Sequence, residues 1–178
     1  MKSLPKEKRI ILDADHLKRS LTRISFEIVE QNKELENVCI VGIKTRGISL
    51  AKRIQTRIFE LEGKSLNVGE IDISYFRDDE KVNKSSSAPS LPFDIKDKTI
   101  ILVDDVLFTG RTIRAALDSL INISRPHKIK LAVLVDRGHR ELPIRPDYVG
   151  KNIPTSLEEN IEVHLLEDDN EDCVYLTK

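Results

Sequence analysis

Two adjacent aspartates, Asp104 and Asp105, carry the strongest chemical signal in the chain. They follow four apolar residues, 100–103, and precede the turn of residues 109–112, which reads TGRT. A continuous apolar run predicts a buried strand of a parallel sheet, and ligands bind outside the carboxyl ends of such strands. The turn predicts a helix N-terminus whose free N–H groups suit a phosphate. Because neighbouring carboxylates suit the hydroxyls of a sugar, the two features together indicate a site for a sugar phosphate.

An earlier loop adds two cations to the same predicted site. Lys44 and Arg46 lie between Gly42 and Gly47, where the backbone can come close to a ligand. Guanidinium and N–H groups favour multiply charged oxyanions, so diphosphate is the expected ligand. A third loop, residues 136–140, leaves another predicted strand, and the three loops should meet at one sheet edge. The alternatives are that the aspartates only cap a helix and that the cations only solvate a loop.

Several segments together resemble one family. Residues 103–112 (VDDVLFTGRT) look like the phosphoribosyl-diphosphate loop of type I phosphoribosyltransferases. Over nearly the whole chain the resemblance is to the PyrR family, attenuators of pyrimidine operons that are also uracil phosphoribosyltransferases. Phe108 replaces the small residue of generic type I enzymes, as is typical of that family. The wider resemblance is carried by residues 42–47, 69–73, 77–79, 134–144 and 150–155.

The resemblance implies transfer of ribosyl phosphate from phosphoribosyl diphosphate to uracil, giving UMP and diphosphate. Asp104 and Asp105 would hold the ribose hydroxyls and favour the oxocarbenium character of the transition state, and Arg77 would act beside them. Residues 44–46 would face diphosphate, and residues 109–112 the 5-phosphate. Mg²⁺ is the expected cofactor, held mainly by the substrate diphosphate. The implied substrate-binding residues are Lys44, Thr45, Arg46, Val106, Leu107, Phe108, Thr109, Gly110, Arg111, Thr112, Arg137 and Ile153, the last two on the uracil side.

A basic face of the first predicted helix suggests a second function. At 100° per residue, one face within about 140° of arc gathers cations and Phe26, opposite the apolar stripe of the helix. Cations beside an aromatic side chain suit single-stranded RNA. The resemblance implies that leader RNA binds there when UMP is bound. The expected RNA-binding residues are Lys18, Arg19, Thr22, Arg23, His139, Arg140, Arg145 and Lys151.

Two other functions stay open. Phe26 and Gln31 stand where the family's regulators carry His and Arg, which favours a salvage enzyme without RNA binding. A purine phosphoribosyltransferase is the other alternative, against which Ile153 stands where purine enzymes usually place an aromatic residue. His139 is expected to orient a ligand or contact RNA, since diphosphate leaves readily and needs little base catalysis.

The elements that must position these residues alternate between strand and helix. They predict an α/β fold of the type I phosphoribosyltransferase kind, with a central, mostly parallel sheet flanked by helices. One domain is expected over residues 1–178, with a hood built from the N-terminal arm and residues 137–178. Residues 77–92, polar and rich in Ser and Pro, predict a flexible lid that closes over the diphosphate.

Helices are predicted from Asp13, its N-cap, to about residue 32, and from residue 48 to a stop at Gly63. A third helix should carry Ile113, Ala116, Leu117, Leu120 and Ile121. Strands are predicted at residues 38–42, 100–103 and 128–135, over Ile71, Ile73 and Tyr75 with one wet face, and near Val163 and Val174. The segment punctuated by Pro143, Pro146 and Pro154 is assigned no strand.

Composition is that of a globular domain, with 39% hydrophobic and 33% charged residues. Cys39 and Cys173 show no metal-ligand spacing and are expected to be buried in a reducing cytoplasm. No membrane partner is expected, and a homodimer or higher oligomer is. Residues 158–178 hold eight acids and one lysine, which is read as solvated surface, and His164 is assigned to the surface.

Overall fold

A five-stranded parallel sheet forms the centre of the molecule, as predicted. The computed structural model describes residues 7–74 and 89–178. The sheet strands are β2 (Val38–Ile43), β3 (Asn67–Ile71), β4 (Thr99–Leu107), β5 (Lys128–Asp136) and β6 (Tyr148–Asn152). Their order is β3-β2-β4-β5-β6, with β4 in the middle. This order brings the carboxyl ends of β2, β4 and β5 to one edge.

Helices cover both faces of the sheet. They are α1 (Ala14–Gln31), α2 (Arg46–Glu62), α3 (Arg111–Ile123) and the short α4 (Leu166–Asp169). Alternate residues of β4 divide between two cores, because successive side chains of a strand point to opposite faces. Ile101 and Val103 pack in the core that contains α1 and α2, while Ile100 and Leu102 pack in the core that contains α3.

The helix ends follow the sequence signals. Asp13 caps α1 by accepting a hydrogen bond from the His16 N–H at 2.9 Å. Gly63 ends α2 in the left-handed conformation, and its N–H donates to the Phe59 carbonyl at 2.8 Å. Both predictions are confirmed. Ile121, in contrast, is 64% exposed and lies outside the buried face of α3.

A second, antiparallel sheet lies within the region predicted as the hood, and it is called the hood below; β6, which also lies within residues 137–178, belongs instead to the central sheet. It consists of β1 (Lys8–Leu12), β7 (Asn160–His164) and β8 (Cys173–Thr177), in the order β1-β8-β7. The strands predicted near Val163 and Val174 are confirmed, and the N-terminal arm joins them. Cys39 and Cys173 are both free and buried.

Two element predictions are wrong in their bounds. The strand predicted over Ile71, Ile73 and Tyr75 ends at Ile71, and Tyr75 lies outside the described residues. The proline-rich segment contains β6, which is the edge strand of the central sheet. An edge strand tolerates flanking prolines because one side of it donates no ladder hydrogen bonds. None of the helices within residues 7–74 and 89–178 is long and apolar enough to cross a membrane.

Candidate active site

The paired carboxylates lie inside β4 rather than after it. The strand continues beyond Val103 to Leu107, and it pairs with β5 over this length. The Asp105 N–H donates to Oδ1 of Asp104 at 3.0 Å, and the Val106 N–H donates to Oδ1 of Asp105 at 2.7 Å. Neither aspartate caps α3, whose N-cap is Gly110. The backbone therefore fixes both carboxylates at the carboxyl end of the central strand.

Burial makes the charged form of this pair unfavourable. It raises the pKa of Asp104, which is 7% exposed, and the charge of Asp105 raises it further. Burial also raises the pKa of Asp105, although the N–H of Val106 and the charge of Arg46 act in the opposite direction. Ligand hydroxyls that donate hydrogen bonds, or a ligand that develops positive charge, would stabilise the carboxylates.

Two adjoining cavities open at this edge of the sheet. The first, of about 480 Å³, has the aspartates on one side and residues 43–46 on the other. The second, of about 400 Å³, is lined by residues 106–113 and Glu141. Val106 and Thr112 line both cavities. One ligand can therefore place a diol in the first cavity and a phosphate in the second.

The predicted phosphate turn has the expected geometry. Gly110 adopts a positive φ of 94° just before α3 begins at Arg111. The Thr109 carbonyl accepts hydrogen bonds from the N–H groups of Glu141 and Leu142, at 2.9 and 3.2 Å. The Arg111 Nε donates to Glu141 at 2.9 Å. Contacts from residues 141–142 thus hold the turn in place from outside, a role that the sequence analysis did not assign to them.

The cation loop faces the carboxylates across the first cavity. Lys44 Nζ lies 3.5 Å from Asp72, and Thr45 precedes α2, which begins at Arg46, without a capping hydrogen bond from its side chain. The peptide bond between Lys44 and Thr45 is cis. Lys44, Thr45 and Arg46 all line the cavity, so the structure brings together the diphosphate and ribose residues that the sequence predicted.

The two glycines of this loop serve packing instead of ligand approach. A Cβ at Gly47 would lie 2.5 Å from the Val103 carbonyl oxygen, and a Cβ at Gly42 would lie 2.4 Å from the Gly47 carbonyl oxygen. Both distances are far below van der Waals contact. The glycines therefore let the start of α2 sit directly against β4, which sets the width of the first cavity.

The acidic C-terminal segment is not merely solvated, and that prediction is wrong. Asp169 accepts from Nε and Nη2 of Arg46 at 3.1 and 2.8 Å. Arg53 donates to Glu167 at 2.8 and 2.5 Å and to Asp172 at 3.0 and 2.7 Å. These bonds hold the hood against α2, and they hold the Arg46 guanidinium at the rim of the first cavity.

Arg137 organises the region that the resemblance assigns to uracil. Its guanidinium stacks on the Phe108 ring, 4.0 Å from the centroid. It also donates to Thr155 Oγ1 at 3.0 Å and to the Glu159 carbonyl at 2.6 Å, and its pKa is lowered by burial. The Ile153 N–H donates to the Asp136 carbonyl at 2.8 Å. Through Phe108, Arg137 contacts the predicted phosphate turn, and Leu107, which also lines the second cavity, is buried.

The predicted basic face of α1 forms a surface cavity of its own. It has a volume of about 730 Å³, and Phe26 within it is 49% exposed. Arg23 donates to the Val149 and Gly150 carbonyls at 3.1 and 2.5 Å, so the face continues onto β6. Its lining also contains three acids, which lower its positive charge. The lining residues are Asp15, Lys18, Arg19, Thr22, Arg23, Phe26, Glu27, Glu30 and Arg57.

The later RNA candidates divide into two groups. Arg140 donates to the carbonyls of Phe108 and Ile144 at 3.0 and 2.9 Å, and it also binds Asp136. It is thus largely committed to bracing the phosphate turn. His139 has a positive φ of 63° and lies 2.6 Å from the Thr155 carbonyl. The exposed residues of the set are His139, Arg145 and Lys151.

One predicted catalytic residue lies outside the described residues, and the first cavity has lining residues that were not predicted. Arg77 and residues 77–88 of the predicted lid lie outside the described residues. Asp72, Ile73 and Ser74 line the first cavity, although sequence reasoning did not select them. Their signal is the alternation after β3, which places Asp72 and Ser74 on its wet side. His164, assigned to the surface, is half-buried and lies 2.6 Å from Glu171.

Comparisons with known proteins fit this geometry. A model of the phosphoribosyl transferase domain matches residues 9–168. A bifunctional protein PyrR from Streptococcus uberis is 58% identical over 168 residues, which covers 94% of this chain and 96% of that protein. A bifunctional protein PyrR from Bacillus cereus is 57% identical over 173 residues, with 94% of this chain and 96% of that protein covered.

Solved structures with the same fold are more distant in sequence. A hypoxanthine-guanine phosphoribosyltransferase from Bacillus anthracis has a TM-score of 0.73 at 15% identity, covering 98% of this chain and 100% of that one. A hypoxanthine phosphoribosyltransferase from Staphylococcus aureus has a TM-score of 0.68 at 20% identity, covering 88% of this chain and 85% of that one. At these identities the likeness shows the fold alone.

Proposed function

Because this chain belongs to the phosphoribosyl transferase domain family, and within it to the bifunctional PyrR proteins, we propose that its two adjoining cavities bind phosphoribosyl diphosphate and uracil. The reaction gives UMP and diphosphate. The same chain is a UMP-dependent attenuator that binds the leader RNA of pyrimidine operons. The observation that carries the catalytic half is the position of the Asp104–Asp105 pair between the cation loop and the phosphate turn.

Each loop supplies one part of the binding work. Residues 109–112 present the helix N-terminus and two hydroxyl groups to the 5-phosphate. Asp104 and Asp105 accept hydrogen bonds from the ribose hydroxyls, and Lys44, Thr45 and Arg46 bind the diphosphate. Arg46 reaches this ligand from its ion pair with Asp169. Arg77 is proposed to act from the lid.

The carboxylates also serve the chemical step. As the bond from ribose C1 to the diphosphate oxygen lengthens, the ring acquires positive charge. Two fixed anions beneath the ring stabilise that charge in a site from which water is partly excluded. The cations on the opposite wall stabilise the departing diphosphate. The site thus places anions beside the ring, which becomes positive, and cations beside the diphosphate, which becomes more negative.

Magnesium fits this arrangement as an ion carried by the substrate. The oxygens of Asp104, Asp105 and Asp72 are the hard ligands that Mg²⁺ prefers, and they line the first cavity. When bound, the ion neutralises the diphosphate. We propose that the diphosphate and ribose oxygens supply most of its ligands, with the buried aspartates beside them.

The base is proposed to lie near Phe108, Arg137 and Ile153. Arg137 fixes the Phe108 ring and the hood segment 155–159 at once. Uracil would contact the backbone groups beside Ile153, whose N–H is bonded to the Asp136 carbonyl.

The bifunctional relatives favour an enzyme that also regulates transcription over a salvage enzyme without regulation.

The RNA site is proposed on the α1 face, together with the exposed residues of later segments. Lys18, Arg19, Thr22 and Arg23 line one cavity with Phe26, which offers a stacking surface. The proposed extension comprises His139, Arg140, Arg145 and Lys151, of which Arg140 contributes chiefly by bracing the turn. We also propose that the chain is a single domain and that it forms a homo-oligomer in which two such faces are joined.

Replacing the acidic pair tests the catalytic assignment. Asp104→Asn and Asp105→Asn keep the shape of the side chains and remove the charge that the transition state needs. We expect kcat for UMP formation to fall about 10²–10³-fold in each variant, as for loss of a principal electrostatic stabiliser. Asp118→Asn on α3, an exposed partner of Arg114, is the matched control and should keep full turnover. Unchanged turnover in both site variants would contradict the assignment.

A further inference from the structure

A cluster of three metal-ligating side chains lies in the hood, away from both proposed sites. His164, Glu171 and Cys173 each place a ligand atom within 4.8 Å of the other two. His164 Nδ1 and a Glu171 carboxylate oxygen are 2.6 Å apart. His164 and Cys173 are direct partners in the β7–β8 register, so their side chains share one face of the hood sheet. Val163 and Val174 fill the opposite face and belong to the core.

We propose that His164, Glu171 and Cys173 form a binding site for a divalent transition metal of the zinc class. Imidazole nitrogen, carboxylate oxygen and thiolate sulfur are the three ligand types that Zn²⁺ takes in proteins. Bonds of about 2.0–2.3 Å in tetrahedral geometry separate ligand atoms by roughly 3.3–3.8 Å. The cluster needs only small side-chain rotations to reach that spacing. Three protein ligands leave the fourth position to water.

The surroundings of the cluster support a bound cation. A Glu162 oxygen lies 3.8 Å from His164 Nε2, the nitrogen that faces away from Glu171. A carboxylate at the second nitrogen is the usual device that fixes the ring of a metal-binding histidine. Residues 158–178 hold eight acids and one lysine, so the local field favours positive charge. Lys8 opposes it from above the Tyr175 ring, but it is also paired with Glu162 at 3.7 Å.

Metal binding at Cys173 must balance both protons and charge. A cysteine ligates a metal as the thiolate, so the thiol proton has to leave. Binding forms a sulfur–metal bond and releases that proton to solvent, with no change of oxidation state. The thiolate, the Glu171 carboxylate and the metal then sum to zero charge.

A metal at this position would join two strands across the turn that carries α4. The turn also supplies Asp169 to Arg46 and Asp172 to Arg53. The proposed ion therefore braces the segment that holds the hood against α2. It is a structural site, and its proposal does not rest on the proposed enzymatic function.

Titration of the purified, metal-free chain with Co²⁺ tests the site. Cobalt substitutes for zinc, and a thiolate ligand gives an intense near-ultraviolet charge-transfer band that other ligands do not. We expect one Co²⁺ per chain with this band, displaced by Zn²⁺. The band should be lost in Cys173→Ser and retained in Cys39→Ser, which alters the other buried cysteine. No band in the unaltered chain, or a band that survives in Cys173→Ser, overturns the proposal.

Variants of the other positions separate ligation from folding. His164→Gln should abolish tight binding, and Glu162→Gln should weaken it about 10–100-fold as an outer partner. His127→Gln, at an exposed position far from the hood, is the control and should bind as the unaltered chain does. Zn²⁺ should raise the unfolding temperature of the unaltered chain and leave that of Cys173→Ser unchanged. Equal stabilisation of both proteins would instead indicate binding elsewhere and overturn the site.

Discussion

At the scale of single residues, the aspartate pair shows function working against stability. Asp104 is buried and Asp105 is half-buried, and desolvation raises the pKa of both; the charge of Asp105 raises that of Asp104 further. A carboxyl group whose pKa is raised by folding binds more protons in the folded than in the unfolded chain. Its contribution to stability therefore falls as the pH rises above the unfolded pKa of about 3.9. The buried pair thus lowers the stability of the ligand-free enzyme, and ligand binding offsets this loss.

Asp104→Asn should accordingly stabilise the ligand-free chain while it removes activity. The amide keeps an oxygen for the N–H of Asp105 but carries no charge to desolvate. We expect a gain of about 0.5–2 kcal/mol at pH 7, the range of stabilising substitutions at functional sites. For a chain of this size each kcal/mol corresponds to about 2–4 °C in Tm.

Thermal unfolding between pH 4 and pH 8 measures this effect. The advantage of Asp104→Asn over the unaltered chain should shrink toward pH 4, where the aspartate is protonated in the folded chain and about half protonated in the unfolded chain. Asp118→Asn, exposed on α3, provides the baseline for a charge change without burial. A lower Tm for Asp104→Asn at pH 7 would show that the carboxylate is stabilising, contrary to the burial argument.

At the scale of elements, the contact between the hood and α2 depends on a few ion pairs. Arg53 binds Glu167 and Asp172, and its side chain is only 21% exposed. Hydrogen bonds from Arg53 lower the pKa of Glu167 against the effect of burial. A carboxylate with a lowered pKa contributes stability above its unfolded pKa, and that contribution is lost as the pH falls through the folded pKa.

Arg53→Ala should therefore lower the free energy of unfolding above about pH 5 by roughly 1–3 kcal/mol. Breaking a fully buried ion pair would lower it more, because Glu167 is partly solvated here. Arg57→Ala removes an exposed pair with Glu60 one turn later on the same helix, and should change stability by about 0.5 kcal/mol or less. Urea unfolding at pH 7 and pH 3.5 compares the two. A difference between the variants that persists at pH 3.5 would refute the ion-pair account.

What the sequence predicted well is what local periodicity determines. The apolar stripe of α1, the stop at Gly63 and the buried run before Asp104 each depend on residues close together in the chain. β6 was missed because the prolines on either side of it suggest a loop, whereas its pairing with β5 depends on distant residues. The partners of Arg46 and Arg53 were missed for the same reason, since the hood brings them from more than a hundred positions away. Charge composition alone cannot distinguish a solvated acidic segment from one that is bound to α2 by ion pairs.

At the scale of the whole molecule, the two proposed functions share one loop. Arg137 contacts the Phe108 ring, Arg140 contacts the Phe108 carbonyl, and His139 lies edge-on to the same ring at 6.0 Å. A nucleotide that orders Phe108 therefore also orders residues 136–140, which include the exposed RNA candidate His139. This continuity gives UMP a physical route by which its binding can favour that of RNA.

On the proposed RNA surface, the effects of charge and of stacking can be tested separately. Arg19→Ala removes one cation from the α1 cavity, so the affinity for leader RNA with UMP should fall. The slope of log K against log salt should decrease by about 0.7 for each lost phosphate contact. Phe26→Ala removes a stacking surface of about 1–3 kcal/mol per base, and should weaken binding without changing that slope. UMP synthesis should remain within about twofold in both variants, since neither side chain lines the two catalytic cavities.

Filter binding of the host's pyrimidine-operon leader RNA across a salt series, with and without UMP, measures these slopes. Arg125→Ala, an exposed arginine beyond the end of α3, controls for general loss of positive charge. Equal effects of Arg19→Ala and Arg125→Ala would mean that the RNA responds to net charge and not to the α1 face. Parallel loss of UMP synthesis and RNA binding in Arg19→Ala would mean that the two faces are not separate. A slope that changes with Phe26→Ala would indicate that the ring positions the cations and does not stack on a base.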